Sequence, residues 1–346
     1  MRFKCARLQG FILLGLLTVS LILLPALVQA GETTIKVAHT NNPLPFENPA
    51  SALAVVFKGV LEEQTRGQIK VNVFPSAQLG NEREIMEALK LGSLQAVIIS
   101  EGTTVNFFSP MEVLGIPFLF PSKDVAWKVN DGPFGRELKE AMRKETGIRI
   151  LATAAPGGFR NFAANKPLRK LEDIKGLRIR TMEHPAHQAM VKALGASPTP
   201  VPYAELYSAL KSGIVDGLEL PYQAFLNMKI DEVVKYMIVD GHLFNQEILF
   251  INDKWFSSLP ADQQRAVLKA GSDAQSAGRG VVRISEAVGA DQLRQKGVEV
   301  YFPTEQERQR FKDAGQPPVV AMLRQKLDKK WVDGVFKAVE QASKEQ

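Results

Sequence analysis

Short apolar segments alternate with longer amphipathic segments along most of the chain. Residues 35–39 alternate apolar and polar side chains as a strand does, whereas residues 48–67 place apolar side chains along one stripe of a helix. A strand pattern at residues 69–74 follows, and a further helix pattern that ends at Gly92 leads into the apolar run 96–99. This alternation predicts an α/β architecture with parallel sheets.

Capping residues and glycines set the other expected boundaries. Asn81 followed by Glu84 predicts a capping box at a helix start. Residues 259–297 read as helical and residues 298–302 as a late strand, and we expect a final helix to begin after Pro317-Pro318. No long linker rich in proline, glycine or serine divides the chain, so we expect two similar lobes in tandem that more than one strand connects.

The N-terminus has the three-part plan of a secretory signal peptide. Arg2, Lys4 and Arg7 precede the uncharged stretch 8–31, and Val28-Gln29-Ala30 offers small residues at the cleavage positions. We therefore expect a signal peptide at residues 1–30 that is cleaved after Ala30. The alternative is a retained membrane anchor, since 24 uncharged residues could span a bilayer.

Composition narrows the class of protein. Hydrophobic residues make up 45% of the 346 residues and charged residues 23%, which excludes a disordered, collagenous or polytopic membrane protein. The single cysteine, Cys5, excludes a disulfide framework and a cysteine-built metal site. The net charge is +6, or +3 without the three cations of the signal peptide, and the remaining charges are interleaved. No basic stripe is present, so the sequence predicts no nucleic-acid partner.

No catalytic motif stands out. The chain has no nucleophile elbow, no phosphate-binding glycine loop and no H-E-x-x-H. His184 and His187 lie beside Glu183 and could in principle bind a metal, but Pro185 indicates a turn and no third ligand is close. We expect a structural or solvent-exposed role for these histidines, and neither a metal nor a cofactor.

Arg180 is the strongest candidate for binding chemistry. In the strand pattern 177–180, Leu177 and Ile179 share one face, and Arg178 and Arg180 share the other. Arg180 ends the strand, where open α/β sheets place their ligands, and its guanidinium is a planar fork for a carboxylate. An ordinary surface arginine or a salt bridge between lobes is the alternative.

A series of motifs then carries a family resemblance. In order along the chain they are G-x-R at 158–160, L-x-D-I-K-G-L-x-I-R ending at Arg180, the segment 194–200, E-L-Y-S-A-L at 205–210 and V-D-G-L-E at 215–219. With these motifs the chain resembles the periplasmic solute-binding subunits of tripartite ATP-independent periplasmic (TRAP) transporters, the DctP-type family. The resemblance covers residues 33 to about 300.

The resemblance implies an architecture and a function. It implies a two-lobe α/β clamp with mixed sheets, crossing hinge strands and a long helix that braces both lobes. We expect lobe I at residues 31–157 plus about 246–285, and lobe II at residues 158–245 plus about 286–346. It also implies a monomeric, non-enzymatic periplasmic protein that captures a small organic anion and delivers it to the TRAP membrane permease subunits, which are sodium-driven.

The resemblance also assigns site residues. Arg180 matches the arginine that forms a salt bridge with the ligand carboxylate, and Arg160 matches a second arginine beside the ligand. Residues expected to line the cleft or to supply polar contacts are Glu101, Tyr203, Asn41 and Glu82.

One position departs from the family pattern. Many relatives read D-G-x-E-N-P, where the asparagine supports the bound carboxylate, but residues 216–221 read D-G-L-E-L-P. Leu220 offers no hydrogen bond, so the anion is held differently or the ligand presents apolar surface there. This position favours an apolar or aromatic carboxylate over a sugar acid.

Two other functions stay open on the sequence. A periplasmic two-lobe enzyme could use His39, Glu101 or Asp216 as acid–base groups. A ligand-sensing subunit that acts on a carboxylate through a signalling partner is the other alternative.

Overall fold

The computed structural model describes residues 33–345, so the predicted signal peptide at residues 1–30 lies outside the described residues. The strands are β1 (Thr33–His39), β2 (Ile69–Phe74), β3 (Ala96–Ser100), β4 (Ile148–Ala154), β5 (Arg160–Ala164), β6 (Arg178–Thr181), β7 (Ser197–Pro200), β8 (Gly217–Leu220), β9 (Tyr236–Leu243), β10 (Glu247–Asn252) and β11 (Glu299–Tyr301). The α-helices are α1 (Pro49–Gln64), α2 (Glu82–Leu91), α3 (Glu101–Thr104), α4 (Lys123–Asp131), α5 (Pro133–Thr146), α6 (Pro185–Ala193), α7 (Leu206–Lys211), α8 (Tyr222–Asn227), α9 (Asp253–Ser258), α10 (Ala261–Gln295), α11 (Glu305–Lys326) and α12 (Lys329–Lys344). Within residues 33–345, no helix combines the length and the apolar character that crossing a membrane requires.

The strands form two sheets. The first has the strand order β2-β1-β3-β10-β4 and the second has the order β11-β9-β5-β8-β6-β7. β1 pairs in parallel with β2 and β3, and β6 pairs in parallel with β7 and β8. β10 runs antiparallel to β3 and β4, and β5 runs antiparallel to β8 and β9. The prediction of parallel sheets is therefore wrong for β5 and β10, whereas the mixed sheets that the resemblance implies are confirmed.

Both antiparallel strands begin where the chain passes from one sheet to the other. The chain leaves the first sheet after β4 and returns to it through residues 244–246, between β9 and β10. Glu247 starts β10 and pairs with Ser100 and Ala154, which end β3 and β4. A strand that enters a sheet at the end where its neighbours stop must run against them. The same geometry brings strand ends of one sheet next to strand ends of the other.

A long helix packs against both halves of the molecule. α10 is continuous and packs against α1 and β4 on the first sheet, and against α8 and β11 on the second. Gly278 permits a close approach, because a Cβ at this position would lie 3.0 Å from the Cβ of Ala154. The molecule thus has the two-lobe α/β fold with a bracing helix that the resemblance implies. The residue bounds expected for the two lobes stay a prediction.

The first two helices follow the sequence pattern. Asn48 caps α1 by accepting a hydrogen bond from a backbone amide of the first turn, and Phe57 and Leu61 on the apolar stripe are fully buried. Burying each of these side chains contributes about 1.5–3 kcal/mol. Asn81 and Glu84 form the capping box of α2, which confirms that prediction.

The C-terminal helices differ from the expectation. α11 begins at Glu305 and contains Pro317 and Pro318, so a helix start after the prolines is wrong. Each proline removes a backbone hydrogen bond, but a capping box at Thr304 and packing against α6 hold α11 together. The break falls instead at Leu327, and α12 then packs against α4 and α5.

Candidate ligand-binding site

The strand ends at the junction of the two sheets surround a cleft. Its volume is about 930 Å³, which includes space open to solvent. On the side of the first sheet the lining is polar and includes Asn41, Asn81, Glu82, Ser100, Thr103 and Glu247. On the side of the second sheet, cations and apolar groups line it, including Arg160, Arg180, Met182, Tyr203, Leu220 and Ala224.

Arg180 lies in this cleft as a buried cation without an anion. Only 2% of the residue is exposed, and its Nε and Nη2 donate to the carbonyl oxygen of Val201 at 2.9 and 2.7 Å. Among residues 33–345, no carboxylate forms a salt bridge with it. Burial, and after it the neighbouring Arg160, lowers the pKa of Arg180 to about 10, so the guanidinium stays charged near pH 7. A desolvated cation that faces open space favours an anionic ligand.

Arg160 also lines the cleft, but the protein already neutralises it. Its Nε forms a salt bridge with Glu219, which is fully buried, and its Nη1 lies 3.5 Å from the Oδ1 of Asn245. His242 approaches the same carboxylate, with Nε2 at 3.6 Å, and its Nδ1 lies 2.9 Å from the Oδ2 of Asp240. This arginine is therefore held in place by a buried series of polar groups that continues through Glu219 and His242 to Asp240.

Burial and neighbouring charges have opposite effects on the pKa values of Glu219 and His242. Burial works against a charge on Glu219, but the charge of Arg160 and the nearby His242 outweigh it and lower its pKa to about 2. Burial likewise works against protonation of His242, but Asp240 and Glu219 outweigh it and raise the pKa above its usual value of 6.5. Arg160 thus has a buried counter-ion in Glu219, in contrast to Arg180.

Three further predicted residues supply polar groups to the cleft. Asn41 donates from Nδ2 to the Oε1 of Glu247 at 3.4 Å and accepts from Asn48 at 3.0 Å. Glu82, at the start of α2, accepts hydrogen bonds from the side chains of Ser100 and Thr103 and from the Ser100 backbone amide. Burial raises the pKa of Tyr203, so its phenol stays neutral and can donate a hydrogen bond.

Leu220 lies in the cleft lining with its side chain almost entirely buried. Met182 and Ala224 extend the same apolar wall. The position where many relatives are expected to carry an asparagine therefore presents hydrocarbon to the cleft, as the sequence indicates.

Glu101 is the predicted residue that the structure does not bring to the cleft. It is fully buried at the start of α3, with Oε1 3.1 Å from His184 Nε2 and Oε2 accepting from the Gln246 amide at 3.4 Å. The helix turn that begins at Glu101 directs the side chain beneath the cleft. His184 stacks on His187 at 3.9 Å between ring centres, and both are buried, so neither has the solvent-exposed position that the sequence left open. In residues 33–345, no group of three or more acidic, histidine or cysteine side chains is placed to hold a metal.

The acid–base groups considered for an enzyme do not meet in the cleft. His39 is buried at the end of β1, where burial lowers its pKa to about 4. Asp216 binds Arg178 at 2.6 Å on the outside of the second sheet. Neither residue lines the cleft.

Glu247 is a cleft residue that the sequence reasoning missed. It is 2% exposed and opens the otherwise apolar strand β10. Burial, and after it the nearby Glu82, raises its pKa well above the usual value. The sequence signal for this residue is an acidic side chain at the first position of the otherwise apolar strand pattern of β10.

Comparisons with known proteins show the family of this chain. The family model for DctP, the bacterial extracellular solute-binding proteins of family 7, matches residues 41–326. A solute-binding protein of Verminephrobacter eiseniae is 35% identical over 273 residues, which cover 78% of this chain and 80% of that protein. The C4-dicarboxylate-binding periplasmic protein DctP of Rhodobacter capsulatus is 30% identical over 312 residues, which cover 88% of this chain and 90% of that protein.

A solved structure shares the fold. The TRAP periplasmic solute-binding protein from Bordetella bronchispeptica, with density interpreted as pantoate, superposes with a TM-score of 0.82 at 31% identity. The match covers 88% of this chain and 99% of that one. With two sheets around a cleft and a family match over most of its length, this chain belongs to the DctP family of bacterial extracellular solute-binding proteins.

Proposed function

We propose that this protein is the periplasmic solute-binding subunit of a TRAP transporter, and that it captures a small organic carboxylate through Arg180. The observation that carries the proposal is a buried, charged guanidinium in the cleft lining with no salt bridge to any residue of 33–345. The ligand-loaded protein then delivers its cargo to the sodium-driven membrane permease.

The hydrogen bonds of Arg180 define how a carboxylate binds. The carbonyl of Val201 occupies Nε and one hydrogen of Nη2, which leaves the second Nη2 hydrogen and both Nη1 hydrogens for a ligand. A carboxylate that approaches the Nη1–Nη2 end can accept two parallel hydrogen bonds. At about 4 Å, such a charge pair gains about 4 kcal/mol at an effective dielectric of ~20, against about 1 kcal/mol in bulk water. Exclusion of water from the cleft therefore strengthens the binding.

Contacts across the cleft support a closing motion. Asn42 donates to the carbonyl of Asn227 at 3.3 Å, and Asn106 donates to the carbonyl of Glu183 at 3.2 Å. Arg83 lies 3.9 Å from the Glu183 carboxylate. These contacts join the first half of the chain to the second at the rim, so they form when the lobes are close. A ligand that touches both sides favours this state over an open one.

Family members fit this class of ligand. One relative is named for binding C4-dicarboxylates, and a solved relative has density interpreted as pantoate, a monocarboxylate. Small organic acids are therefore the ligands to screen, and we expect the protein to release them chemically unchanged.

A thermal-shift screen against mono- and dicarboxylates, followed by titration calorimetry, tests the proposal. A ligand that binds the native state raises the melting temperature. Arg180→Met removes the charge but keeps a long apolar stem, and we expect affinity to fall at least about a hundredfold. Arg178→Met is the matched control on the same strand, where the side chain faces solvent and binds Asp216, so affinity should change less than about twofold.

The outcomes separate the alternatives. If Arg180→Met binds a carboxylate as tightly as the unmodified protein does, another group anchors the ligand and the proposal is wrong. If the ligand recovered after incubation has been converted, the protein is an enzyme. Loss of uptake in cells that lack this protein, with restoration by the unmodified chain, ties binding to transport.

A further inference from the structure

Two glutamates line the cleft on the side of the first sheet. Glu82 stands at the start of α2, and Glu247 stands at the start of β10. Both are close enough to influence the cations of the other side, because the charge of Glu82 acts on Arg180 and that of Arg160 acts on Glu247. Carboxyl groups on the side of the first sheet thus face two arginines of the second, while Arg83 and Glu183, which also line the cleft, lie close to each other at the rim.

Glu82 is held as a fixed acceptor. Ser100 donates to it from the backbone amide at 3.0 Å and from Oγ at 2.9 Å, and Thr103 adds a third hydrogen bond. These donors fix the carboxylate in the wall of the cleft without neutralising its charge, since none of them is a cation.

Glu247 is buried, yet the protein leaves much of its hydrogen-bonding capacity unused. Its one hydrogen bond within residues 33–345 comes from Asn41 and is long, at 3.4 Å. Burial raises the pKa of this carboxyl well above its usual value, so the group can carry a proton and donate it in a hydrogen bond. A buried polar group of this kind is costly unless a partner completes its hydrogen bonds.

We propose that Glu82 and Glu247 bind hydroxyl groups at the end of the ligand remote from Arg180, and that the cleft thereby selects hydroxylated monocarboxylates over dicarboxylates. This inference rests on the proposed function, because it takes Arg180 as the anchor of the ligand carboxylate.

The chemistry of a hydroxyl group fits this pair. A hydroxyl both donates and accepts, so it can donate to Glu82 and accept from a protonated Glu247. A second ligand carboxylate accepts only, and it would bring a like charge against Glu82 in a partly desolvated site. The apolar wall at Leu220 and Met182 accommodates the carbon chain between the two ends. The preference for an apolar or aromatic acid, which rested on Leu220 alone, therefore gives way in this proposal to a hydroxylated acid. Glu183 also lines the cleft, but it is exposed at the rim and pairs with Arg83.

Three matched acids test the selection by titration calorimetry. Galactonate carries hydroxyls and one carboxylate, galactarate replaces the terminal hydroxymethyl group by a second carboxylate, and hexanoate lacks hydroxyls. We expect galactonate to bind at least about tenfold more tightly than either of the others. Erythronate, tartrate and butanoate repeat the series at a shorter chain length.

Variants then assign the selection to the two glutamates. Glu82→Gln removes the repelling charge, so the ratio of galactonate to galactarate affinity should fall at least about fivefold. Glu247→Leu removes the hydrogen bonds, so galactonate should bind about tenfold more weakly while hexanoate binds no worse. Glu247→Gln keeps the side-chain volume and some hydrogen bonding, so its affinity for galactonate should lie between those of Glu247→Leu and the unmodified protein. Glu63→Gln, on the exposed face of α1, is the control for a distant change of charge and should alter neither ratio.

The results distinguish this inference from the proposed function. The proposed selection is wrong if hydroxylated and dicarboxylic acids bind equally well through Arg180. It is also wrong if the ratios of galactonate affinity to galactarate affinity and to hexanoate affinity are unchanged in Glu82→Gln and Glu247→Gln. In both cases Arg180 remains the group that binds the ligand carboxylate. If Arg180→Met leaves the binding of every acid intact, the proposed function itself fails.

Discussion

Replacing Glu219 should reveal how strongly the buried charges beneath the cleft support the fold. The carboxylate is fully buried and forms a salt bridge with Arg160, with His242 at 3.6 Å, so Glu219→Gln leaves the buried Arg160 without its counter-ion. Removing one partner of a buried ion pair costs about 3–5 kcal/mol, because the remaining charge loses its compensation. We expect the free energy of unfolding near pH 7 to fall by this amount.

The pKa gives an independent magnitude. Burial opposes the charge of Glu219, but Arg160 and His242 outweigh it and lower the pKa from 4.5 to about 2. A difference of that size corresponds to about 3 kcal/mol, in agreement with the mutational range. Because the folded-state pKa is depressed, this stability is present above about pH 4.5 and is lost as the pH falls toward 2. The difference between the two proteins should therefore shrink over that interval.

Urea unfolding followed by circular dichroism, repeated at several pH values, measures the effect. Asp216→Asn is the control, since the Asp216–Arg178 pair is also a carboxylate–arginine pair of the second sheet but is partly exposed. We expect this control to lose about 1 kcal/mol or less. A Glu219→Gln protein within about 1 kcal/mol of the unmodified one at pH 7, with no change in its pH dependence, would refute the reasoning.

Three further changes test other parts of the structure. Arg180→Lys should bind carboxylates poorly in calorimetry, because an ammonium cannot donate to the Val201 carbonyl and also form two parallel hydrogen bonds with a ligand carboxylate. Unchanged affinity would exclude binding of the carboxylate by two parallel hydrogen bonds. Leu220→Asn should lower the ratio of the affinities for pantoate and 2,4-dihydroxybutanoate, which lacks the two methyl groups of pantoate, by about tenfold. The reason is that each buried CH₂-sized group contributes ~0.8 kcal/mol. An unchanged affinity ratio would show that Leu220 does not contact the ligand. Asn81→Ala should lower the unfolding free energy by about 1 kcal/mol through loss of the cap on α2, and an unchanged melting temperature would count against the capping box.

Local signals in the sequence predicted the elements that local interactions determine. The stripe that includes Phe57 and the capping box at Asn81 depend on residues a few positions apart, and both agree with the structure. The start of α11 and the direction of β5 and β10 depend on distant contacts. α11 continues past Pro317 because it packs against α6, although proline disfavours the interior of a helix. The direction of a strand depends on where the chain enters the sheet.

The candidate site likewise contains residues that the sequence predicted and a residue that it did not. Motif resemblance predicted Arg180, Arg160 and Tyr203 as ligand-binding residues, and the structure gathers them in one cleft. It did not indicate that Glu101 points beneath the cleft toward His184, because side-chain direction at a strand end depends on the next helix turn. Glu247 was missed because its role follows from the return of the chain into the first sheet, which no local pattern records.

A crystal structure of the protein with a bound carboxylate tests the central claim most directly. We expect the ligand carboxylate at about 2.7–2.9 Å from both Nη1 and Nη2 of Arg180, with Nε still donating to Val201. A carboxylate bound to another cation, with the Nη atoms of Arg180 facing only water or protein, would contradict it.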